Sequence, residues 1–223
     1  MRTHKMYPLV CTLVALVFAC HAASAQVKVS LSACPQINEN ISVRIGTDVD
    51  IPLNARWSFV PGAYWSLRIR NSDVSKEYTN DRTTSRSHYD YHDKAHFLTI
   101  PVRMGLRLNN PTNENLALKL LFGPYIAYGM GGTSKCDITK DGTKEQTETG
   151  SFDKDGRYRT RWDYGINVGL NLVVKKHFQF GIFSETGFRK IYNSNNAVED
   201  LLGEIFIVNK INLAFGLSLG YQF

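Results

Sequence analysis

Three histidines recur every four residues: His88, His92 and His96, with Asp90 and Asp93 between them. On a helix this spacing would put the three imidazoles on one face, where they could bind a metal. They are weak candidates, because His96 abuts a strand-like segment and the other two lie in a long polar stretch. Imidazoles without a defined geometry specify no metal, so no metal and no other cofactor is expected. Asp153-Lys154-Asp155-Gly156 is similar to the start of a calcium loop, but the later bidentate Glu is missing. Asp141-Gly142 and Asp155-Gly156 read instead as hairpin turns.

A second set of charged side chains is spread over the whole chain. Arg44, Asp48, Asp50, Arg68, Arg70, Arg103, Arg107, Lys119, Arg161, Asp163, Glu185 and Arg189 alternate with apolar neighbours. Such alternation collects charges on one face of β-strands. If that face lines a closed barrel, two chemistries are open. One is a salt-bridged plug, since buried charges must be paired or solvated. The other is a narrow pore that leans toward anions, since basic residues dominate. A small barrel leaves little open cross-section, which favours the plug. Arg44, Asp48, Arg103 and Glu185 are expected to form the charge network in the lumen.

Nucleophilic catalysis needs a nucleophile, a base and an orienting acid within reach of one another. Beyond residue 25 the histidines are the three above and His177, and no Gly-x-Ser-x-Gly motif is present. The protein is therefore not expected to be an enzyme. Cys34 and Cys136 are the two cysteines beyond residue 25. Cys34 is expected just past a short first strand and Cys136 at the start of a long connection. Both then fall on the external side and could form a disulfide across the barrel mouth; two isolated thiols are the competing reading.

The elements that must position these residues begin after a leader. Arg2 and Lys5, the apolar stretch Tyr7 to Ala19 and the small residues Ala23-Ser24-Ala25 have the order of a secretory signal peptide over residues 1–25. The apolar stretch is too short for a good membrane-spanning helix. The remaining 26–223 make one domain, and with 43% apolar and 21% charged residues neither disorder nor a collagen-like chain is expected. Removing the leader lowers the formal charge from +6 to +4, with 24 basic and 20 acidic residues left. No basic cluster or RNA-binding motif accompanies that charge, so no nucleic-acid partner is expected. No later segment carries eighteen consecutive apolar residues, leaving an exported chain that is either soluble or a β-barrel.

Period two decides for strands. Trp162, Tyr164, Ile166, Val168, Leu170 and Leu172 alternate with Arg161, Asp163, Gly165, Asn167, Gly169 and Asn171. Ile211 to Phe223 repeats the pattern, as do segments within 41–51, 57–70, 98–108, 116–129 and 178–189. A short strand from Val27 to Ala33 brings the total to eight. Twelve of the 17 glycines fall in these strands, counting Gly131 just past residue 129, and all are assigned to the polar face. Glycine weakens a strand unless close packing needs the space, and the inside of an eight-stranded barrel is where space is short. The apolar face therefore points outward to lipid. The expected fold is all-β, a closed antiparallel eight-stranded transmembrane β-barrel. Links at Asn54–Arg56, Asn109–Asn115 and Lys175–His177 are short, and those at Asn71–Ala95, Gly132–Thr160 and Asn193–Asn209 are long. In bacterial barrels short turns face the periplasm and long loops face outward, which puts both termini in the periplasm.

The run His96-Phe97-Leu98-Thr99-Ile100-Pro101-Val102-Arg103-Met104, then Phe122-Gly123-Pro124-Tyr125, then the ending Gly220-Tyr221-Gln222-Phe223, resemble the PorT-like family of outer-membrane β-barrels. The resemblance covers most of Ile41 to Phe223. It implies a small eight-stranded barrel in the cell outer membrane, with lipid and the barrel-assembly machinery as its partners. The reading that follows is a structural or interaction protein, whose long external loops could bind a ligand or an envelope protein. A small passive channel is the alternative.

Overall fold

The computed structural model describes residues 27–38, 40–80, 83–112, 115–140, 143–154, 156, 158–189 and 212–223. The expected signal peptide, Asp141-Gly142, Asp155 and the link 193–209 lie outside the described residues. Nine strands lie among the described residues: β1 (Lys28–Asn38), β2 (Asn40–Pro52), β3 (Trp57–Asn80), β4 (Thr83–Arg107), β5 (Leu116–Lys140), β6 (Thr143–Gly150), β7 (Trp162–Val174), β8 (Phe178–Gly187) and β9 (Asn212–Gln222). Every pairing is antiparallel.

Eight of these strands form a ring in the order β1-β2-β3-β4-β5-β7-β8-β9, and β9 returns to β1 with Ser32 opposite Gly220. The fold is the closed eight-stranded barrel that period two implies. Closure leaves the ring without a free edge, the condition for spanning lipid with strands. Burial is inverted relative to a soluble protein. Leu217 is 57% exposed and Ile182 56%, whereas Arg44 is 2% exposed and Asp48 3%. Outward side chains are apolar because they meet hydrocarbon, and the core of the molecule is its polar lumen.

Aromatic side chains mark two belts on the outer face. At the short-turn end His177 stacks on Tyr221 at 5.2 Å, with Phe178 and Phe223 against the same ring. At the other end Trp65 stacks on His96 at 5.5 Å and Tyr128 packs on Trp162 at 4.8 Å. Trp57 and Trp65 belong to opposite belts and sit roughly 26 Å apart along β3, a spacing suited to an apolar band.

Two of the expected long loops are largely strand instead. β3 runs on to Asn80 and β4 begins at Thr83, and the two pair out to Asn80 opposite Thr83. β5 runs on to Lys140, and β6 returns beside it with Lys140 opposite Thr143. The physical reason is that apolar alternation reports contact with lipid rather than strand conformation. Beyond the bilayer the outward positions carry His, Lys and Thr, and the alternation disappears while the pairing does not. The result is a sheet of β3, β4, β5 and β6 that projects from one end of the barrel.

A bulge separates the two parts of that sheet. His96 faces Gly131 and Phe97 faces Gly129, so Met130 is an extra residue in β5. The slip turns Gly131 to the outer face, where nothing lies within 4 Å of a Cβ added there. Gly131 is therefore an exception to the assignment of all twelve strand glycines to the polar face. The crowding argument holds inside. A Cβ at Gly123 would come within 2.8 Å of the Arg103 Cα, and one at Gly62 would strike the Asp48 carboxylate.

Candidate functional site

The inward faces of five strands meet at one level of the lumen. β2 supplies Arg44 and Asp48, β3 Tyr64, β4 Arg103, β7 Asn167 and β8 Glu185. Each reaches the interior because it occupies an inward position of a period-two strand. Arg44 Nη1 donates to Glu185 Oε1 as an ion pair. Asn167 Nδ2 donates to the same oxygen at 3.1 Å, and Asn167 Oδ1 accepts from Arg103 Nη1 at 3.5 Å. Arg103 Nη2 donates to Asp48 Oδ1, and the Tyr64 hydroxyl donates to Asp48 Oδ2 at 2.5 Å. The Arg44 guanidinium then lies over the Tyr64 ring, 3.7 Å from its centroid. The six side chains form a closed circuit across the barrel.

The electrostatics of this circuit follow from its burial. None of its six members is more than 5% exposed. Two guanidinium groups face two carboxylates, so the level is neutral, as a desolvated charge cluster must be. The open space beside it measures about 10 Å³, room for about one water molecule. Phe183 fills the other side of Arg44, its ring centroid 4.9 Å from the guanidinium carbon.

Further levels lie above and below. Toward the projecting sheet, Asp163 accepts from Arg68 Nη1 at 3.4 Å and from the Tyr125 hydroxyl at 3.3 Å. Arg68 also lies over Phe97 at 4.2 Å. Above them an aromatic cap closes the lumen. Phe152 and Tyr158, from the segment after β6, pack 5.0 Å apart and each sits 5.6 Å from Phe97. Ser151 anchors that segment by donating to the Lys94 carbonyl at 2.9 Å. Toward the short turns, Lys119 pairs with Asp50.

The structure thus brings together Arg44, Asp48, Arg103 and Glu185, the four residues expected in the lumen network. Sequence reasoning missed Tyr64 and Asn167, although both occupy inward positions on strands it identified. It could not find Phe152 or Tyr158, which reach the lumen from a segment with no strand period.

The expected polar loop around the histidines and the possible disulfide are both corrected. His88, His92 and His96 lie on β4, not in a loop. Residues four apart in a strand are about 13 Å apart, too far to share one ion. Each has its own neighbour instead: Ser75 and Asp90 for His88, Asn71 for His92 and the Trp65 ring for His96. Among the described residues no group of three or more His, Cys, Asp or Glu side chains is gathered for a metal.

The disulfide is the second correction. Cys34 and Cys136 are thiols. Cys34 is not in a loop: β1 continues past it to Asn38, and it faces the lumen opposite Arg44, 2% exposed. Cys136 lies in the projecting part of β5, opposite Tyr91. The Cys34 residue sits inside the barrel and Cys136 beyond its rim, so no external bridge joins them.

A closed antiparallel barrel with apolar outer belts and a packed, charged lumen is the architecture of an outer-membrane protein. Residues 23–193 match the outer membrane protein beta-barrel domain, and the chain belongs to that family. Solved structures similar to it include Ail, the attachment invasion locus protein of Yersinia pestis, at 11% identity over 88% of this chain and 96% of that one, with a TM-score of 0.31. The N-terminal β-barrel domain of Pseudomonas aeruginosa OprF is 13% identical over 88% of this chain and 97% of that one, TM-score 0.31. Acinetobacter baumannii CarO is 11% identical over 86% and 96%, TM-score 0.39. No curated protein matches the sequence.

Proposed function

We propose that this chain is a PorT-like structural or interaction barrel, which conducts nothing and works through the sheet it projects from the membrane. The observation that carries this reading is the circuit of Arg44, Glu185, Asn167, Arg103, Asp48 and Tyr64 across the lumen. A hydrated ion needs a continuous aqueous path, and about 10 Å³ beside the circuit does not supply one. The aromatic cap adds a second obstruction.

With the lumen sealed at the circuit, the broad surface left for a macromolecular partner is the projecting sheet. β3 continues beyond Ile69 for eleven residues, roughly 35 Å. Its last strand, β6, carries Thr, Lys and Glu side chains in exposed positions, which suits a polar external ligand or envelope protein. In this reading residues 1–25 are a signal peptide removed on export, and both termini face the periplasm. Phe223 donates to the Val29 carbonyl at 2.8 Å, so the two ends of the barrel domain meet at the short-turn end. Short turns face the periplasm in bacterial barrels. Lipid and the barrel-assembly machinery are its obligate partners during biogenesis.

Planar-bilayer recording of the purified protein tests the reading. A silent bilayer, with insertion verified by protease access to the projecting sheet, is expected. Reproducible conductance steps that shrink on Arg103→Gln would instead establish the anion-leaning channel.

A further inference from the structure

Below the sealed circuit the lumen opens again. A cavity of about 340 Å³ at the short-turn end is lined by Lys28, Arg107, Lys119 and Lys176, with Ala117, Val173 and Gln222. Four of its seven lining residues are cationic and none is acidic. Asp50 stands just beyond, paired with Lys119. Gln222, only 5% exposed, adds an amide that can donate from the wall.

The backbone supplies a separate observation. Lys175 and Lys176 adopt φ of 51° and 66°, and the His177 N–H donates to the Val174 carbonyl at 3.2 Å to close the turn. Positive φ at both central residues is the geometry for which hairpins choose Asn-Gly. A lysine there is strained, and strained residues gather where a site requires a particular side chain. Lys176 is one of the four cations at the cavity.

We infer that this vestibule is a blind binding site for a phosphate-bearing anion. A cleft lined by one sign of charge within low-dielectric walls concentrates counter-ions. Lys and Arg ammonium and guanidinium groups are the donors that phosphate oxygens accept from. A volume of about 340 Å³ exceeds a single phosphate and falls at the lower end of small-ligand pockets. The anion enters from the short-turn end and stops at the Lys119–Asp50 level, because the charge circuit closes the way onward. The phosphate could belong to a soluble molecule or to an anionic lipid headgroup folded over the rim; the shared chemistry is the phosphoryl group.

The test is calorimetric titration of sodium pyrophosphate into the full barrel in lauryldimethylamine oxide micelles, at about 0.1 M salt to screen non-specific attraction. Saturable binding at one site per chain is expected. Lys28→Gln with Lys176→Gln should weaken it about tenfold, and Lys176→Gly alone about fivefold. Lys176→Gly should at the same time raise the urea midpoint, because glycine accepts the turn conformation without strain. Lys135→Gln on the projecting sheet should leave binding unchanged. Doping the micelles with phosphatidylglycerol separates the sources: competition with pyrophosphate assigns the site to a lipid headgroup, and no competition to a soluble anion. Binding of neither probe, or binding that survives Lys28→Gln with Lys176→Gln, overturns the inference.

Discussion

Arg44 and Glu185 stand 141 positions apart in the sequence and meet as an ion pair in the middle of the lumen. β2 and β8 are not neighbours in the sheet; two strands, β1 and β9, separate them along the ring. The pair therefore spans the interior rather than bridging adjacent strands, and it ties opposite parts of the wall together. Its oxygen is shared with Asn167, which carries the connection to Arg103 and Asp48.

Removing one partner should be costly because it strands the other charge. Glu185→Ala is expected to destabilise the barrel by about 3–5 kcal/mol. Replacing both, as Arg44→Met with Glu185→Met, should cost far less, since a packed apolar pair needs no counter-charge. Urea unfolding in detergent micelles, read by tryptophan fluorescence, measures both. Equal losses in the single and double variants would deny the coupling.

Position 168 tests which face meets lipid. Val168→Arg should cost about 2–4 kcal/mol near the bilayer midplane. The neighbouring Asn167→Arg looks milder from the sequence, where Asn167 is simply a polar-face residue. The structure reverses this expectation, since Asn167 is fully buried and holds two ion pairs in register. A third guanidinium in that circuit has no space and no carboxylate, so Asn167→Arg should be at least as damaging in the same unfolding measurement.

The strand period alone makes the ring legible in the sequence. Val168 and Ile166 against Asn167 and Gly165, and Leu217 and Leu219 against Ser218 and Gly220, state inside and outside directly. The same rule placed the four charges that meet in the lumen. What it could not reveal was partner choice, because Arg44 could have paired with any inward carboxylate and only the register of distant strands selects Glu185. Nor could it find structure outside the bilayer. Past Phe97 the outward positions have no lipid to answer to, so β3 and β4 read as a polar loop while Tyr89 and Tyr91 were already marking strand. Cys34 escapes the sequence for a related reason: the apolar alternation ends at Ala33, four residues before Ile37 resumes the outward pattern.

Thiol chemistry should distinguish the two cysteines. Cys34 is buried beside Arg44 and Cys136 is partly accessible on the projecting sheet. A polar maleimide should label Cys136 in the folded barrel and Cys34 only after denaturation. Mass spectrometry of the unreduced chain should then count two labels beyond residue 25. A single resistant pair would restore the disulfide.

The aromatic cap should be separable from the charge circuit. Phe152→Ala removes the ring that packs on Phe97, Tyr158 and Gly129, with an expected loss of about 3 kcal/mol. Because the cap lies at the mouth, limited proteolysis within 151–161 should accelerate while the eight-stranded ring stays protease-resistant. Cleavage spreading into β7 would mean that the cap and the ring unfold together.

Solute flux through proteoliposomes tests the central claim most directly, that the charge circuit seals the barrel. Wild-type vesicles should hold a small anionic dye as tightly as protein-free ones. The variant carrying Arg44→Ser, Asp48→Ser, Arg103→Ser and Glu185→Ser together with Phe152→Ala and Tyr158→Ala, which open the cap as well, if it remains folded by heat-dependent gel migration, should leak the dye or smaller ions. Leakage through the wild-type barrel, or a folded variant as tight as the wild type even to protons and chloride, would contradict the account.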